Sequence, residues 1–153
     1  MSKGINFPTQ DGSALRIGIV KARWNHELTD SLLEGCKKAL RESGVKEENI
    51  VVLEVPGSYE IVFGAKHLID SARVHAVVCL GTLIKGETMH FEYIADAVTQ
   101  GIMRLNVESG LPVIFGVLTC LTEAQARARA IGDNNHGVAW GKTAVEMARI
   151  KKF

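Results

Sequence analysis

A run of ten almost uniformly apolar residues, HAVVCLGTLI at positions 75–84, constrains the fold more than any other stretch of the chain. Such a run is typical of a strand that is buried on both faces, as happens when helices cover a parallel sheet. Strand-like and helix-like stretches alternate on both sides of it. The alternation predicts an α/β fold, a three-layer α/β/α sandwich built around a doubly wound, four-stranded parallel sheet.

The apolar spacing and the turn residues predict the bounds of each element of this flavodoxin-like plan. Strands are predicted at 15–22, 50–55, 75–84 and 113–118. Helices are predicted at 25–43, 59–71, 88–109, 122–130 with a Thr122–Gln125 capping box, and 140–152 after a loop at 132–137. Residues 1–13 are polar and are predicted to form an N-terminal arm. A neighbouring subunit is one surface on which this arm could dock. Residues 14–153 are predicted to form one domain.

The charge and cysteine content exclude several classes of protein. Eighteen basic and seventeen acidic side chains give a net charge of +1, which argues against a nucleic-acid binder. No apolar run approaches the length of a membrane span. Three widely spaced cysteines without a C-x-x-C motif fit a reducing compartment, and the first residues do not resemble a signal peptide. We therefore expect a cytoplasmic protein that binds neither nucleic acid nor membrane.

Ligands of doubly wound sheets bind beyond the carboxyl ends of the strands. Four segments lie there, and none of them has the histidine spacing of a metal site: KARWNH (21–26), VPGSYE (55–60), TLIKGETMH (82–90) and GVLTC (116–120). In the third segment Glu87 stands where a nucleotide-binding P-loop requires lysine. Thr88 either caps its helix or joins the helix amides in seating a phosphate.

Four further side chains could either take part in ligand chemistry or have an ordinary structural role. Trp24 either stacks on a flat heterocycle or packs against a neighbour. His90 is suited to proton transfer near neutral pH, although a single histidine is more often a surface residue. Arg129, like Arg127, either holds a phosphate or belongs to a solvated face.

Taken in order, five segments resemble the motifs of lumazine synthases, and their spacing is intact from about Leu15 to Met147. They are ARWN (22–25), VPGSYE (55–60), GTLIKGETMHFEYI (81–94), PVIFGVLT (112–119) and EAQARARA (123–130). The resemblance implies an enzyme that condenses 5-amino-6-(D-ribitylamino)uracil with 3,4-dihydroxy-2-butanone 4-phosphate. The products would be 6,7-dimethyl-8-ribityllumazine, phosphate and water, with no metal or organic cofactor.

The resemblance also implies where the heterocyclic substrate binds. Trp24 would stack on the pyrimidine ring, where many members of the family have phenylalanine, with Asn25 close by. The ribityl chain and ring would meet Ser58, Tyr59 and Glu60. The uracil edge would meet backbone groups of Thr82, Leu83 and Ile84.

For the second substrate, the resemblance implies a phosphate site and a proton-transfer residue. Glu87 and Thr88 would hold the phosphate through backbone amides and the hydroxyl, and Arg129 would be its counter-charge. His90 would transfer protons. Phe115 would reach the ring from the adjacent subunit.

The resemblance implies a homo-oligomer, either a pentamer or a shell of twelve pentamers. The loop GDNNHGVAWG (132–141) differs from the lysine- and glycine-rich loop of many members, so the size of the assembly stays open. Two other functions are compatible with this fold: a lumazine- or flavin-binding protein without turnover, and a receiver-like signalling domain. The indole of Trp24 also suggests the hypothesis that the protein retains riboflavin.

Overall fold

The computed structural model describes residues 4–150 and contains the predicted parallel sheet. Its strand order is β2-β1-β3-β4, and all three pairings are parallel. The strands are β1 at Ile17–Ala22, β2 at Ile50–Val55, β3 at Ala76–Ile84 and β4 at Val113–Cys120. The prediction of a doubly wound, flavodoxin-like sandwich is confirmed.

Helices cover both faces of the sheet. They are α1 at His26–Glu42, α2 at Ile61–Ser71, α3 at His90–Ser109, α4 at Glu123–Ala130 and α5 at His136–Ala148. One core cluster lies between the sheet and α1, α4 and α5, and a second lies between the sheet and α2 and α3. The chain thus leaves β1 and β3 toward opposite faces, so the order of the strands reverses between these two neighbours.

Strand β3 explains why the run at 75–84 has no polar face. Ala76, Val78 and Leu80 are fully buried in the first core cluster. Val77 and Cys79 alternate with them and are fully buried in the second. Because each side of the strand faces a layer of helices, the apolar run contributes buried side chains to both core clusters.

Helix α5 begins at His136, so the prediction of a start at Trp140 is wrong. The Asn135 side chain caps the helix: its Oδ1 accepts the Gly137 N–H at 2.8 Å, and its Nδ2 donates to the Ser31 carbonyl at 2.7 Å. A Cβ on Gly137 would collide with the Leu32 carbonyl of α1. The asparagines and glycine that indicated a loop therefore start a helix in close contact with α1. Residues 151–152 of the predicted helix lie outside the described part of the chain.

The other boundaries differ from the prediction by one or two residues. Residues 15–16 precede β1, α3 begins at His90, β4 continues to Cys120, and a 3₁₀ turn at Ser58–Glu60 comes before α2. The predicted cap of α4 is present, since the Thr122 hydroxyl accepts the Gln125 N–H at 3.2 Å.

No helix or strand forms between residues 5 and 15. Near its end this segment is attached to the body of the domain, because the Gly12 N–H donates to the Ser43 carbonyl at 2.7 Å. Gly12 is buried against Val45.

Asn106, near the end of α3, attaches that helix to the first residue of the edge strand β4. Its Oδ1 accepts the Val113 N–H at 2.7 Å, and its Nδ2 donates to the Val113 carbonyl at 2.8 Å. The same Nδ2 donates to the Ile102 carbonyl at 2.9 Å. The side chain thus gives Val113 the two hydrogen bonds that another strand would provide.

We predict that Asn106→Ala lowers the free energy of unfolding by about 2 kcal/mol. Three hydrogen bonds contribute roughly 1 kcal/mol each, and the better helix propensity of alanine offsets a part of the loss. Urea unfolding followed by circular dichroism measures the change. The control is Asn134→Ala, which removes one exposed hydrogen bond to the Ala128 carbonyl and should have a smaller effect. Equal losses in the two variants would contradict the assignment.

Candidate active site

A cavity of about 740 Å³ opens at the carboxyl ends of the strands, where their order reverses. Its size falls within the usual range for small-molecule sites. The segments that follow β1, β2 and β3 form its walls together with the first turn of α3. It is lined by Trp24, Asn25, Pro56, Gly57, Ser58, Tyr59, Glu60, Thr82, Leu83, Ile84, Gly86, Thr88, His90, Phe91, Tyr93 and Ile94.

Ten of the residues predicted from the sequence lie on this wall, namely Trp24, Asn25, Ser58, Tyr59, Glu60, Thr82, Leu83, Ile84, Thr88 and His90. Glu87, Phe115 and Arg129 do not line the cavity. Sequence reasoning missed Phe91, Tyr93 and Ile94, which follow His90 on α3. Tyr93 and Ile94 are three and four residues beyond His90, and this helical spacing would have placed them on the same side.

Trp24 presents its ring to the cavity while its backbone is fixed. The indole is 75% exposed, and the Trp24 N–H donates to the Pro56 carbonyl at 3.0 Å. The next residue, Asn25, adopts a left-handed conformation (φ 60°, ψ 46°), and its Nδ2 donates to the Thr82 carbonyl at 2.8 Å. These hydrogen bonds join the loop after β1 to both neighbouring strands, and the indole face stays free to contact a planar ligand.

A close approach between Ser58 and β3 shapes the opposite wall. A Cβ on Gly81 would lie 2.6 Å from the Ser58 Oγ and 2.9 Å from Ile61 Cδ1. Glycine at position 81 therefore allows the turn at 58–60 to sit against the strand. The next residue, Thr82, is buried, and its hydroxyl has no hydrogen-bond partner within residues 4–150.

The turn between β3 and α3 brings Thr88 and His90 to the cavity. The Thr88 hydroxyl accepts the His90 N–H at 3.3 Å, and α3 starts at His90 without a side-chain cap on Met89. The N-terminus of a helix carries unpaired N–H groups and a partial positive charge, which favour a bound anion.

An ion pair bridges this same turn. Lys85, at the end of β3, pairs with Glu92 in the first turn of α3. The ammonium of Lys85 holds the pKa of the Glu92 carboxyl below its usual value. The pair joins the two ends of the segment that contains Gly86 and Thr88.

Phe115, Arg129 and His136 lie on the β4 side of the domain, apart from the cavity wall. Phe115 is on the edge strand β4 and is 39% exposed. Arg129, in the last turn of α4, donates from Nη1 to the Gln125 carbonyl at 2.9 Å. Partial burial, and then the nearby charge of Arg129, lower the pKa of His136. The His136 ring contacts Trp140 edge-on, with 5.8 Å between the ring centroids.

Arg127, by contrast, belongs to a surface network. Its guanidinium donates to both carboxylate oxygens of Glu27, at 3.0 and 2.6 Å, and to Glu123 at 3.2 Å. These contacts tie α4 to the first turn of α1. Of the two arginines on α4, Arg129 is therefore the better candidate for a ligand contact.

The chemistry of the described residues does not include a reactive thiol. Burial raises the pKa of the Cys36 and Cys79 thiols to about 12, and burial also raises the pKa of Cys120. Thiols with such pKa values stay protonated and weakly nucleophilic near neutral pH. Within residues 4–150, no group of three or more His, Cys, Asp or Glu side chains is placed to hold a metal ion.

Comparisons with known proteins match nearly the whole chain to one family. The family model described as 6,7-dimethyl-8-ribityllumazine synthase matches residues 14–152. The synthase of that name from Schizosaccharomyces pombe is 48% identical over 95% of this chain and 93% of its own length. Those from Pyricularia oryzae and Parabacteroides distasonis are 44% and 47% identical. They cover 95% and 92% of this chain, and 92% and 88% of their own lengths.

We predict that Arg129→Gln raises the pKa of His136. A positive charge beside an imidazole disfavours its protonated form, so removal of that charge makes protonation easier. An NMR titration of the histidine ring signals measures the pKa in each variant. Arg127→Gln is the control, because the Arg127 charge is paired with Glu27 and Glu123. An unchanged titration in Arg129→Gln would show that the two side chains do not interact.

Proposed function

Since the chain belongs to the 6,7-dimethyl-8-ribityllumazine synthase family, we propose that it condenses 5-amino-6-(D-ribitylamino)uracil with 3,4-dihydroxy-2-butanone 4-phosphate. The products are 6,7-dimethyl-8-ribityllumazine, phosphate and water. The observation that carries the proposal is the cavity in which an exposed indole, the end of β3, Thr88 and His90 meet.

The heterocycle lies against Trp24 in this proposal. An indole that is exposed at the edge of a cavity offers an apolar face for a flat ring. The end of β3 offers backbone groups of Thr82, Leu83 and Ile84 to the uracil edge. The turn at Ser58, Tyr59 and Glu60 offers a hydroxyl, a phenol and a carboxylate to the ribityl chain, which is itself rich in hydroxyl groups.

The phosphate of the second substrate lies at the start of α3. The helix N-terminus, the Thr88 hydroxyl and the backbone amide at Glu87 favour an anion there. The ribitylaminouracil already carries the nucleophilic amine, so the protein has to align two substrates and move protons. Alignment lowers a barrier by roughly 7–11 kcal/mol in favourable cases. His90 supplies acid–base catalysis while the amine and the ketone form a Schiff base with loss of water, phosphate leaves, and the ring closes with loss of a second water.

Arg129 and Phe115 act, in this proposal, on the cavity of a neighbouring copy. Both are exposed and lie outside the cavity of their own chain. A homo-oligomer in which the β4 side of one subunit faces the cavity of the next would bring them to the ligand. Large apolar side chains of α2, α3 and the loop before α2 support such contacts because they are mostly exposed: Tyr59, Phe63, Tyr93, Met103 and Val107.

The proposed assembly is a pentamer or a shell of pentamers, and the proposed location is the cytoplasm. Within residues 4–150, no helix is long and apolar enough to span a membrane. All three cysteines are free thiols, which fits a reducing compartment. Light scattering on the purified protein measures the mass and distinguishes the two assemblies.

A mixing assay tests the proposed reaction. Purified protein is combined with both substrates, and lumazine absorbance and fluorescence are followed against the slow uncatalysed background. A rate well above background that requires both substrates supports the enzyme. Binding of the ribityl substrate without acceleration would favour a binding protein without turnover.

We predict that His90→Ala lowers kcat by about 10²–10⁴-fold without abolishing turnover. Acid–base help from a histidine contributes a factor of this order, and alignment of the substrates persists without it. Steady-state kinetics measure the change. His67→Ala, which alters an exposed histidine on α2, should leave kcat unchanged. A rate equal to the uncatalysed background in His90→Ala would contradict the role.

We predict that Arg129→Ala raises the KM for the phosphate substrate more than the KM for the ribityl substrate. The lost guanidinium–phosphate contact is charge-assisted and absent from the other substrate. Arg41→Ala removes an exposed arginine that pairs with Glu47 and serves as the control. An unchanged KM for the phosphate substrate in Arg129→Ala would rule out this counter-charge.

A further inference from the structure

Glu54 lies outside the cavity but binds two cations that precede Trp24, Lys21 of β1 and Arg23 of the loop after it. Its Oε1 accepts the Arg23 Nε–H at 2.7 Å, and its Oε2 lies 3.1 Å from the Lys21 ammonium. Lys21 is only 5% exposed and also pairs with Asp30 of α1. Arg23, and after it Lys21, hold the pKa of the Glu54 carboxyl below its usual value. The carboxylate is therefore charged at neutral pH and engaged at both oxygens.

The position of this carboxylate joins two walls of the cavity. Glu54 lies opposite Lys21 in the pairing of β1 with β2. Arg23 directly precedes Trp24, and Glu54 stands two residues before Pro56, where the second wall begins. The Arg23 N–H donates to the Val55 carbonyl at 2.8 Å. Side-chain and backbone contacts thus hold the same short segment to the end of β2.

We propose that Glu54 is a positioning residue that fixes the orientation of Trp24 by binding Arg23. Trp24 is 75% exposed, so little of its ring is fixed by packing. The orientation of the ring therefore depends on how firmly the loop after β1 is held. A platform that must be ordered on binding loses affinity, because the ordering entropy is subtracted from the binding free energy. The identity of the ligand, a flat pyrimidine, rests on the proposed function. The role of Glu54 in orienting Trp24 does not.

The first experiment measures the motion of Trp24 directly. The chain has two tryptophans, so Trp140→Phe makes Trp24 the only indole. Time-resolved fluorescence anisotropy then reports the angular range of its ring. Glu54→Gln in that background should widen the range, because a neutral amide binds Arg23 more weakly than a carboxylate does. Arg23→Gln should widen it similarly, and the double variant should be no wider than Glu54→Gln alone.

The second experiment measures substrate affinity with Trp140 in place. Glu54→Gln should raise the KM for the ribitylaminouracil by about threefold to tenfold, the effect of a loss comparable to one ordinary hydrogen bond. The KM for the phosphate substrate should stay unchanged, since that substrate does not stack on Trp24. Glu47→Gln is the control: it weakens the similar pair between Glu47 and Arg41, which lies before β2 begins. It should alter neither KM nor the anisotropy.

Three results would overturn the proposal: unchanged anisotropy in Glu54→Gln, equal increases in both KM values, or the same changes in Glu47→Gln. The last two would indicate general loosening of the domain. An unsubstituted protein without turnover would contradict the proposed function only, and the anisotropy would still test the role of Glu54.

Discussion

The parallel pairing of β1 with β3 is the constraint on which the rest of the structure depends. The paired residues run from Ile17 opposite Ala76 to Lys21 opposite Leu80. The chain leaves the two strands toward opposite faces, so a crevice remains at their carboxyl ends. Burial of each large aliphatic side chain contributes about 1.5–3 kcal/mol, and β1 and β3 contain eight of them in fifteen residues. The walls of the cavity therefore start from positions that the core determines.

Polar contacts complete what core burial begins. Asn25 bonds to the Thr82 carbonyl, and Trp24 bonds to the Pro56 carbonyl. Ion pairs at the surface contribute little to global stability because water screens them. They nevertheless restrict the conformations that a loop can adopt, and Glu54 forms ion pairs of this kind with Arg23 and Lys21. The core thus accounts for the existence of the site, and a small number of polar side chains accounts for the orientation of its parts.

The sequence predicted the sheet from local patterns, whereas the resemblance to lumazine synthases identified most of the residues that line the cavity. The apolar run at 75–84 identified β3, and residues next to strand ends identified Trp24 and Thr88. The start of α5 was predicted wrongly because the contact of Gly137 with α1 joins residues more than a hundred positions apart. The pair between Arg23 and Glu54 depends in the same way on strand register, which no local pattern specifies.

The separation of Phe115 and Arg129 from the cavity has a consequence for assembly under the proposed function. One chain then carries two unlike parts of a site on different sides: the cavity at the carboxyl ends of β1 and β3, and the β4 side with its arginine. Contact between unlike surfaces is head-to-tail, and such contacts close into rings when the rotation allows it. A ring completes every site, whereas an isolated chain keeps the stacking indole but lacks the counter-charge for phosphate. Turnover and binding of the phosphate substrate are then coupled to assembly, whereas the heterocycle loses only the Phe115 contact in an isolated chain.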